Sequence, residues 1–435
     1  MRIAVVGTGY VGLVSGACFS ELGINVTCVD KDQRKIESLL SGKIPIFEPG
    51  LDKIVKKNHK KKRLRFTTDL SEAVKGVDAV FIAVGTPPDG DEGGADLSFV
   101  YGVAGELAKV IDNNTLIVTK STVPVGTGDR IKAIIKRKNP KLKFSVASNP
   151  EFLREGCAVK DFMQPDRIIV GIENDKDKKK LEKLYKPLTR KKFPILFTDI
   201  RTAELTKYAA NAFLATKIGF INEIADICEK VGANIENVAK GMGMDNRIGA
   251  NYLFPGPGFG GSCFPKDTLA LRKISKDVGA PTKIVESVIY SNEKRKLSMA
   301  EKVIEACGGS VKSKTIAILG LAFKANTDDM RHSSSLMILP VLRRAGAHLK
   351  VYDPEAMEQA KPLLSEEKTY WCKNSYDALS GADAAVIITE WDEFKKISLR
   401  KAKKLMKKPT IIDLRNLFSP EEMKKNGFKY SSIGR

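Results

Sequence analysis

The chain begins with Met-Arg-Ile-Ala-Val-Val-Gly-Thr-Gly-Tyr-Val-Gly, residues 1–12. Residues 3–6 form a short apolar run, typical of a strand that is buried on both faces. Gly7, Gly9 and Gly12 follow with the G-x-G-x-x-G spacing of a dinucleotide-binding turn. The first glycine permits a tight turn, the second lets the backbone approach a pyrophosphate, and the third lets helix and strand pack closely. This stretch therefore predicts a doubly wound α/β fold that binds a dinucleotide.

A second predicted strand, residues 25–29, ends at Asp30. An acid at this position can bind a ribose 2′-hydroxyl, which favours NAD over NADP. Lys35 either reaches the phosphates of the cofactor or is simply solvated. The sequence therefore predicts NAD as cofactor, with these contacts from the first α/β unit: Gly7, Gly9, Tyr10, Val11, Gly12, Asp30 and Lys35.

Length and composition indicate a globular protein of two or three domains, since the chain has 435 residues, 43% apolar and 29% charged. No apolar run approaches the ~20 residues that cross a bilayer. The chain runs directly into a strand, so we expect no signal peptide and no membrane partner. The seven cysteines lack paired spacing and form no Cys/His cluster, which predicts reduced thiols in the cytoplasm and no metal site.

The formal net charge of +21 raises nucleic-acid binding as an alternative function. Lysines are dense in residues 56–65, 176–192 and 395–408. These runs lack interleaved aromatic residues and match no nucleic-acid-binding motif. We therefore predict solvated loops and helix faces, and no nucleic-acid partner, although a positive field would still attract anionic nucleotides.

Strand and helix patterns alternate over residues 1–198, which predicts a mostly parallel sheet. From residue 201 a long helical stripe runs to a stop at Gly232, and helical patterns continue to residue 310. A second α/β pattern begins at residue 314. The predicted fold is therefore two Rossmann-like domains with doubly wound parallel sheets, residues 1–198 and 311–435, joined by a central helical segment, residues 199–310, with one long helix. Further strands are expected at residues 79–84, 116–119, 144–147, 167–171, 315–320, 349–353, 385–389 and 410–413.

Residues 260–267, Gly-Gly-Ser-Cys-Phe-Pro-Lys-Asp, suggest covalent catalysis. Pro265 suits a first helical turn, which would place Cys263 at the positive end of a helix, where a thiolate is favoured. Asp267 would follow one turn later. The alternative is a buried structural cysteine beside a helix start.

These segments together resemble the UDP-glucose/GDP-mannose dehydrogenase family over nearly the whole chain. The resemblance rests on several motifs in order: residues 7–12, 120–124, 149–156, 204–211, 258–267 and 320–324. It implies a four-electron oxidation of UDP-glucose to UDP-glucuronate with two NAD⁺, through a cysteine thiohemiacetal and thioester. GDP-mannose and UDP-N-acetylhexosamine are the alternative substrates, and a two-electron dehydrogenase or a non-catalytic NAD-binding protein are alternative functions.

The resemblance also implies the roles of individual residues. Cys263 would be the nucleophile, and Lys207 and Asn211, one turn apart on the long helix, would contact the reacting oxygen. Glu151 and Asp267 are both candidates for the base, and Thr122 would belong to the same network. The catalytic set is Cys263, Lys207, Asp267, Glu151, Asn211 and Thr122. Further cofactor contacts are Thr86, Thr122, Glu155 and Arg331. The substrate set is Glu151, Phe152, Leu153, Lys207, Asn211, Arg247, Tyr252, Gly260, Lys324 and Arg415.

Three finer expectations follow. Asn149 would cap a short helix that begins at Pro150 and stops at Gly156, so that Glu151 and Glu155 share a face. Arg247 would cross to the site of a neighbouring subunit, which implies a homodimer or larger assembly built on the long helix. The loop 251–258 lacks a lysine that some relatives carry, so backbone N–H groups would replace its phosphate contact.

Overall fold

The computed structural model describes residues 1–90 and 93–435. They form two compact units: the first comprises Met1–Ala210 and Leu269–Ala280, and the second comprises Asn211–Thr268 and Pro281–Arg435. None of the helices in these described ranges is long and apolar enough to cross a membrane.

The first unit is built around one large sheet with helices on both faces. The strands of this unit are β1 (Arg2–Val6), β2 (Asn25–Val29), β3 (Leu64–Thr67), β4 (Ala79–Ile82), β5 (Pro88–Asp89), β6 (Gly94–Ala95), β7 (Thr115–Thr119), β8 (Phe144–Ser148), β9 (Ile168–Gly171) and β10 (Ile195–Thr198). Strands β5 and β6 form a separate two-stranded sheet. The helices of this unit are α1 (Tyr10–Glu21), α2 (Gln33–Leu40), α3 (Leu51–Lys60), α4 (Leu70–Val74), α5 (Ser98–Val110), α6 (Thr127–Lys138), α7 (Ala158–Met163), α8 (Asp175–Thr189) and the start of α9 (Ile200–Val231).

The large sheet has the strand order β10-β9-β8-β7-β4-β1-β2-β3. All neighbouring strands are parallel except β8 and β9, which are antiparallel. Its central strands are buried along their whole length, because each is a short apolar run covered by helices on both sides. The mostly parallel sheet predicted for this region is confirmed.

The second unit holds the rest of the helical segment and a smaller sheet. Its helices include α10 (Ile235–Gly243), α11 (Phe264–Asp277), whose residues from Leu269 onward belong to the first unit, and α12 (Lys283–Ala306). The strands are β11 (Thr315–Leu319), β12 (His348–Tyr352), β13 (Thr369–Trp371), β14 (Ala384–Ile387), β15 (Thr410–Asp413) and β16 (Lys429–Ser432). The remaining helices are α13 (Ser335–Arg344), α14 (Met357–Ala360), α15 (Ser375–Leu379), α16 (Asp392–Lys395), α17 (Leu399–Leu405) and α18 (Pro420–Lys425).

The smaller sheet has the order β13-β12-β11-β14-β15-β16 and is parallel throughout. Together with the first sheet it confirms the predicted fold class. The long helix predicted from the apolar stripe is α9, with 32 residues. It ends before Gly232, whose φ of 73° is left-handed and favours glycine at a helix C-terminus.

Candidate active site

The glycine turn between β1 and α1 has the geometry of a dinucleotide cradle. Gly7 has φ 102°, and a Cβ there would lie 2.6 Å from the carbonyl oxygen of Ala83. A Cβ on Gly12 would lie 1.9 Å from the carbonyl oxygen of Gly7, so both positions exclude a side chain. At Gly9 a Cβ would meet nothing within 4 Å, which leaves open space where a pyrophosphate would approach the backbone. The residues present therefore fit the predicted cofactor.

Asp30 lies where β2 ends and is tied to the same turn. Its carboxylate accepts hydrogen bonds from the N–H of Thr8 at 2.8 Å and from the Thr8 hydroxyl at 2.8 Å. Burial alone would raise the pKa of Asp30, but these hydrogen bonds, a third from the N–H of Asp32 and the charge of Lys35 lower it below its usual value. Lys35 Nζ lies 3.8 Å from Asp30, with 43% of its side chain exposed.

Tyr10, the first residue of α1, is held by a carboxylate that the sequence analysis missed. Its hydroxyl donates to Glu48, which is buried. The N–H of Gly156 donates to both Glu48 Oε2 at 2.7 Å and Tyr10 Oη at 3.0 Å. Burial first, and then the hydrogen bond to Glu48, raise the pKa of Tyr10. Glu48 thus joins the fingerprint helix to the segment that carries Glu151 and Glu155.

That segment is not the helix predicted from Asn149 to Gly156. The next helix, α7, begins only at Ala158. Asn149 cannot serve as an N-cap, because its Oδ1 accepts from Lys120 at 3.0 Å and from Tyr185, and its Nδ2 donates to the carbonyl of Ile169 at 2.8 Å. Glu151 and Glu155 therefore lie on an irregular loop and share no helix face; both are buried.

Glu151 and Lys207 form a buried ion pair, with Glu151 Oε1 3.3 Å from Lys207 Nζ and side-chain exposures of 5% and 3%. The other Glu151 oxygen accepts from the N–H of Leu153 at 2.5 Å. The Lys207 ammonium lies 5.2 Å from the centroid of the Phe152 ring, whose face also carries the Arg167 guanidinium at 3.6 Å. The structure therefore brings Glu151, Phe152 and Lys207 together.

Glu204, one turn before Lys207, anchors the start of α9. Its two carboxylate oxygens accept from the N–H groups of Gly126 at 2.7 Å and Gly128 at 2.8 Å, at the N-terminus of α6. Burial raises the pKa of Glu204 to about 7, although both hydrogen bonds act in the opposite direction. Thr122, four residues before Gly126, is half-buried, and its carbonyl accepts a hydrogen bond from the Thr86 hydroxyl at 3.0 Å.

In the second unit, Asp267 is fixed by two donors. Asn211 Nδ2 donates to one Asp267 oxygen at 2.6 Å, and Lys266 Nζ donates to the other at 2.6 Å. Asp267 is 1% exposed, and its N–H donates to the carbonyl of Cys263 at 2.8 Å, which begins the α11 ladder. Cys263 directly precedes α11, is half-buried, and its sulfur lies 3.5 Å from the Ser262 hydroxyl. Cys263 thus lies at a helix N-terminus, as predicted.

Glycine at position 260 is dictated by a close backbone contact. A Cβ there would lie 2.4 Å from the carbonyl oxygen of His332. The next N–H, of Gly261, donates to the carbonyl of Arg331 at 2.8 Å, and the Arg331 guanidinium pairs with Asp329 at 2.7 Å. The turn before Cys263 is therefore tied to the loop that carries Arg331.

Comparison with known proteins decides the family. Residues 1–189 match the NAD binding domain of the UDP-glucose/GDP-mannose dehydrogenase family, residues 201–294 its central domain and residues 317–420 its UDP binding domain. The chain belongs to the UDP-glucose/GDP-mannose dehydrogenase family. The resemblance inferred from the sequence motifs is confirmed, and so is NAD as the cofactor of the family.

Members of this family resemble the chain over its full length. It is 52% identical to a UDP-glucose 6-dehydrogenase from Rhizobium meliloti, with 100% of both chains covered. It is 49% identical to the UDP-glucose 6-dehydrogenase TuaD of Bacillus subtilis, covering 100% of this chain and 93% of the relative. The solved structure of a UDP-glucose dehydrogenase from Pyrobaculum islandicum superposes with a TM-score of 0.90 at 36% identity, covering 99% of this chain and 96% of that one.

The remaining residues expected to contact substrate in this dehydrogenase are spread over the second unit. Arg247 is 89% exposed at its side chain and pairs with Asp245. Tyr252 has a left-handed φ of 66°, and its ring lies 6.0 Å from that of Phe264. Lys324 Nζ lies 5.4 Å from the Phe323 ring.

Arg415 is held against the loop 251–258 of the dehydrogenase. Its guanidinium donates to the carbonyls of Ile388 at 2.7 Å and Phe323 at 2.8 Å, and a Cβ on Gly256 would lie 3.3 Å from its Nη1. The N–H of Gly256 already donates to Asn222 at 2.8 Å. The N–H of Gly256 is therefore used within the protein, and the expectation that backbone N–H groups of this loop replace a lysine stays a prediction for its other residues.

Proposed function

We propose that this chain is an NAD-dependent UDP-glucose 6-dehydrogenase, which oxidises the C6 alcohol of UDP-glucose to the carboxylate of UDP-glucuronate. The names of the full-length relatives support the substrate. The observation that carries the chemistry is two buried pairs, Glu151 with Lys207 in the first unit and Asp267 with Asn211 in the second.

Two oxidations at one carbon need a nucleophile between them, and we assign it to Cys263. The C6 alcohol first loses a proton and a hydride to give an aldehyde, and the Cys263 thiolate adds to the aldehyde carbon to form a thiohemiacetal. Loss of a second hydride gives a thioester, which water cleaves to carboxylate and thiol. When bound, NAD⁺ accepts the hydride at each of the two oxidations. The N-terminus of α11 favours the thiolate form of a cysteine at this position.

Lys207 and Asn211 would face the reacting oxygen. They lie one turn apart on α9, and each is fixed by a carboxylate. A fixed ammonium and a fixed amide can stabilise an alkoxide or a tetrahedral oxyanion without reorganising during the reaction, an effect worth about 3–4 kcal/mol per donor. Glu151 and Asp267 are the two proposed proton acceptors, for the alcohol and for the hydrolytic water.

The cofactor and sugar nucleotide would be divided between the two α/β regions. We assign NAD to the domain of residues 1–198, through the glycine turn, Asp30, Thr86 and Glu155. We assign UDP to the domain of residues 311–435, through Lys324 and Arg415. Residues 199–310 then form the central domain, and the extents of the three family domains support this division.

A homodimer would form on the exposed face of α9. Phe213, Phe220, Ile227 and Val231 are 66%, 46%, 54% and 68% exposed. Such an apolar stripe on a helix is typical of an interface with another chain. The exposed Arg247 would then reach a partner's substrate, so activity would depend on assembly. A monomer with full activity at catalytic concentrations would contradict this part of the proposal.

We place the enzyme in the cytoplasm. None of the seven cysteines, all of which lie within the described residues, forms a disulfide, as expected in a reducing compartment. The partners would be the sugar nucleotide, NAD and a second copy of the chain, with no nucleic acid or membrane.

The deciding experiment counts NADH per sugar nucleotide consumed. The purified protein should form two NADH per UDP-glucose and release UDP-glucuronate, with GDP-mannose and UDP-N-acetylglucosamine as matched alternatives. One NADH per sugar with free aldehyde would reject the covalent route. Faster turnover of either alternative sugar nucleotide would reject the substrate assignment.

A further inference from the structure

Lys120 is a buried ammonium to which the reaction scheme gives no role. It directly follows β7 and is 5% exposed. Its Nζ donates to Asn149 Oδ1 at 3.0 Å and lies 5.9 Å from the centroid of the Phe162 ring on α7. Its surroundings are therefore an amide oxygen and an aromatic face.

Asn149 transmits this contact to the catalytic segment. Its Oδ1 also accepts from Tyr185 on α8, its Nδ2 donates to Ile169 on β9, and its own N–H donates to the carbonyl of Thr119 at 2.9 Å. Asn149 is thus bonded to β7 and the residue after it, to β9 and to α8. The chain leaves this anchor two residues before Glu151, so the anchor limits where the Glu151 carboxylate can lie.

Lys120 also changes the charge balance. Glu151 and Lys207 form a buried pair, and the charge of Lys120, which is also buried, interacts with both members. The pKa of Lys120 is lowered to about 8: burial lowers it most, the charge of Glu151 raises it, and the charge of Lys207 lowers it. Burying an ammonium costs free energy through its lost hydration, and a hydrogen bond to a neutral amide oxygen offsets only part of that cost. Packing alone therefore gives no reason for an ammonium at this position.

We propose that Lys120 is a positioning residue for the oxidation: it anchors Asn149, and thereby Glu151, and adds positive charge beside the Glu151–Lys207 pair. Oxidation of an alcohol passes through a developing alkoxide, and excess buried positive charge stabilises developing negative charge. The inference rests on the proposed function, because Lys207 must face that oxygen.

The test compares Lys120→Met with Lys136→Met. Lys136 is a matched control, because its Nζ also donates to a carbonyl, that of Leu142 at 3.0 Å, and lies 5.4 Å from an aromatic ring, that of Phe144. It is exposed and has no part in the proposed site. We expect Lys120→Met to lower kcat per folded molecule at least tenfold, with a Tm close to that of the wild type because Tyr185 still donates to Asn149. Lys136→Met should keep wild-type kcat.

The pH profile separates the charge of Lys120 from a purely structural contact. The ammonium form exists below the pKa, so wild-type kcat should fall as pH rises through about 8. The groups that face Lys120 are Glu151 on its loop, Lys207 on α9, and Tyr185 on α8, whose pKa is raised by burial. This alkaline decline should be absent from Lys120→Met and present in Lys136→Met.

The outcomes distinguish the two proposals. Wild-type protein that does not oxidise UDP-glucose would refute the proposed function and this assignment with it. Active wild type together with a Lys120→Met kcat within twofold of Lys136→Met, or with an unchanged alkaline midpoint, would overturn the role of Lys120 alone. A lower Tm with normal turnover per folded molecule would show that Lys120 is structural and would also overturn the proposal.

Discussion

Replacing Lys207 with Met should separate stability from catalysis at the buried ion pair. Methionine keeps an unbranched side chain of similar length but leaves Glu151, 5% exposed, without its ion-pair partner at 3.3 Å. Breaking a buried pair by removing one member costs about 3–5 kcal/mol, because the remaining charge is uncompensated. We expect the lower end of that range, since Lys120 also attracts Glu151 and the Leu153 N–H still donates to it.

The effect on turnover has a different origin. Lys207 would contact the reacting oxygen, and losing one such donor lowers kcat about 10²–10³-fold. The double variant Lys207→Met with Glu151→Gln removes both charges, so most of the lost stability should return. Turnover should not return, because neither the cation nor the carboxylate is restored.

Two measurements on the same preparations decide this. Denaturant unfolding followed by circular dichroism gives the shift in midpoint, and NADH formation with saturating UDP-glucose gives kcat. Lys179→Met, at an exposed lysine of α8 outside the proposed site and interface, is the control and should match wild type in both. A Lys207→Met kcat within tenfold of the control would contradict the role of Lys207, and a double variant no more stable than the single one would contradict the uncompensated charge of Glu151.

Three further outcomes are expected. Cys263→Ser should lose turnover by orders of magnitude and still bind NAD⁺ in a titration, because a hydroxyl is a far weaker nucleophile than a thiolate; near-normal turnover would end the nucleophile assignment. NADP⁺ should give a much lower kcat/KM than NAD⁺, since its 2′-phosphate would meet the charge of Asp30; equal values would contradict that role. Burial raises the pKa of Glu204 from 4.5 to about 7, so between these pH values the folded state holds a proton that the unfolded state has lost. Wild-type stability should therefore fall by about 3 kcal/mol from pH 4.5 to 7. The pH-dependent unfolding of Glu204→Gln should lack this loss, and a variant with the wild-type slope would exclude Glu204 as its source.

Patterns of neighbouring residues in the sequence correctly predicted the first strand, the end of the second strand and the long helix. The apolar run before Gly7 became β1, the acid that ends the second strand is Asp30, and the helical stripe from residue 201 ends at Gly232. These features depend on residues a few positions apart, so periodicity and glycine spacing contain the information. The glycine pattern also predicted which positions exclude a side chain, as the contacts of Gly7 and Gly12 show.

Partners far apart in sequence could not be predicted in this way. Glu48 lies 108 residues from Gly156, and Glu204 lies 78 residues from Gly126. The same limit explains the wrong helix at Asn149, where a local N-cap pattern lost to side-chain contacts with Lys120 and Tyr185, 29 and 36 residues away. A carboxylate or amide within an apolar stretch of sequence indicates a buried polar side chain, but it does not indicate which distant residue it will bond to.

The cysteine content has a consequence for chemical labelling. Burial raises the pKa of the Cys18, Cys28, Cys307 and Cys372 thiols, so these react slowly with alkylating reagents at neutral pH. Cys157, one residue after the glycine that Glu48 binds, is the exposed cysteine among the seven. An alkylating probe would therefore reach Cys157 as well as Cys263, and modification at Cys157 would disturb the loop that holds Glu151. A Cys157→Ser background makes loss of activity on alkylation report on Cys263, and UDP-glucose should then protect the protein from inactivation.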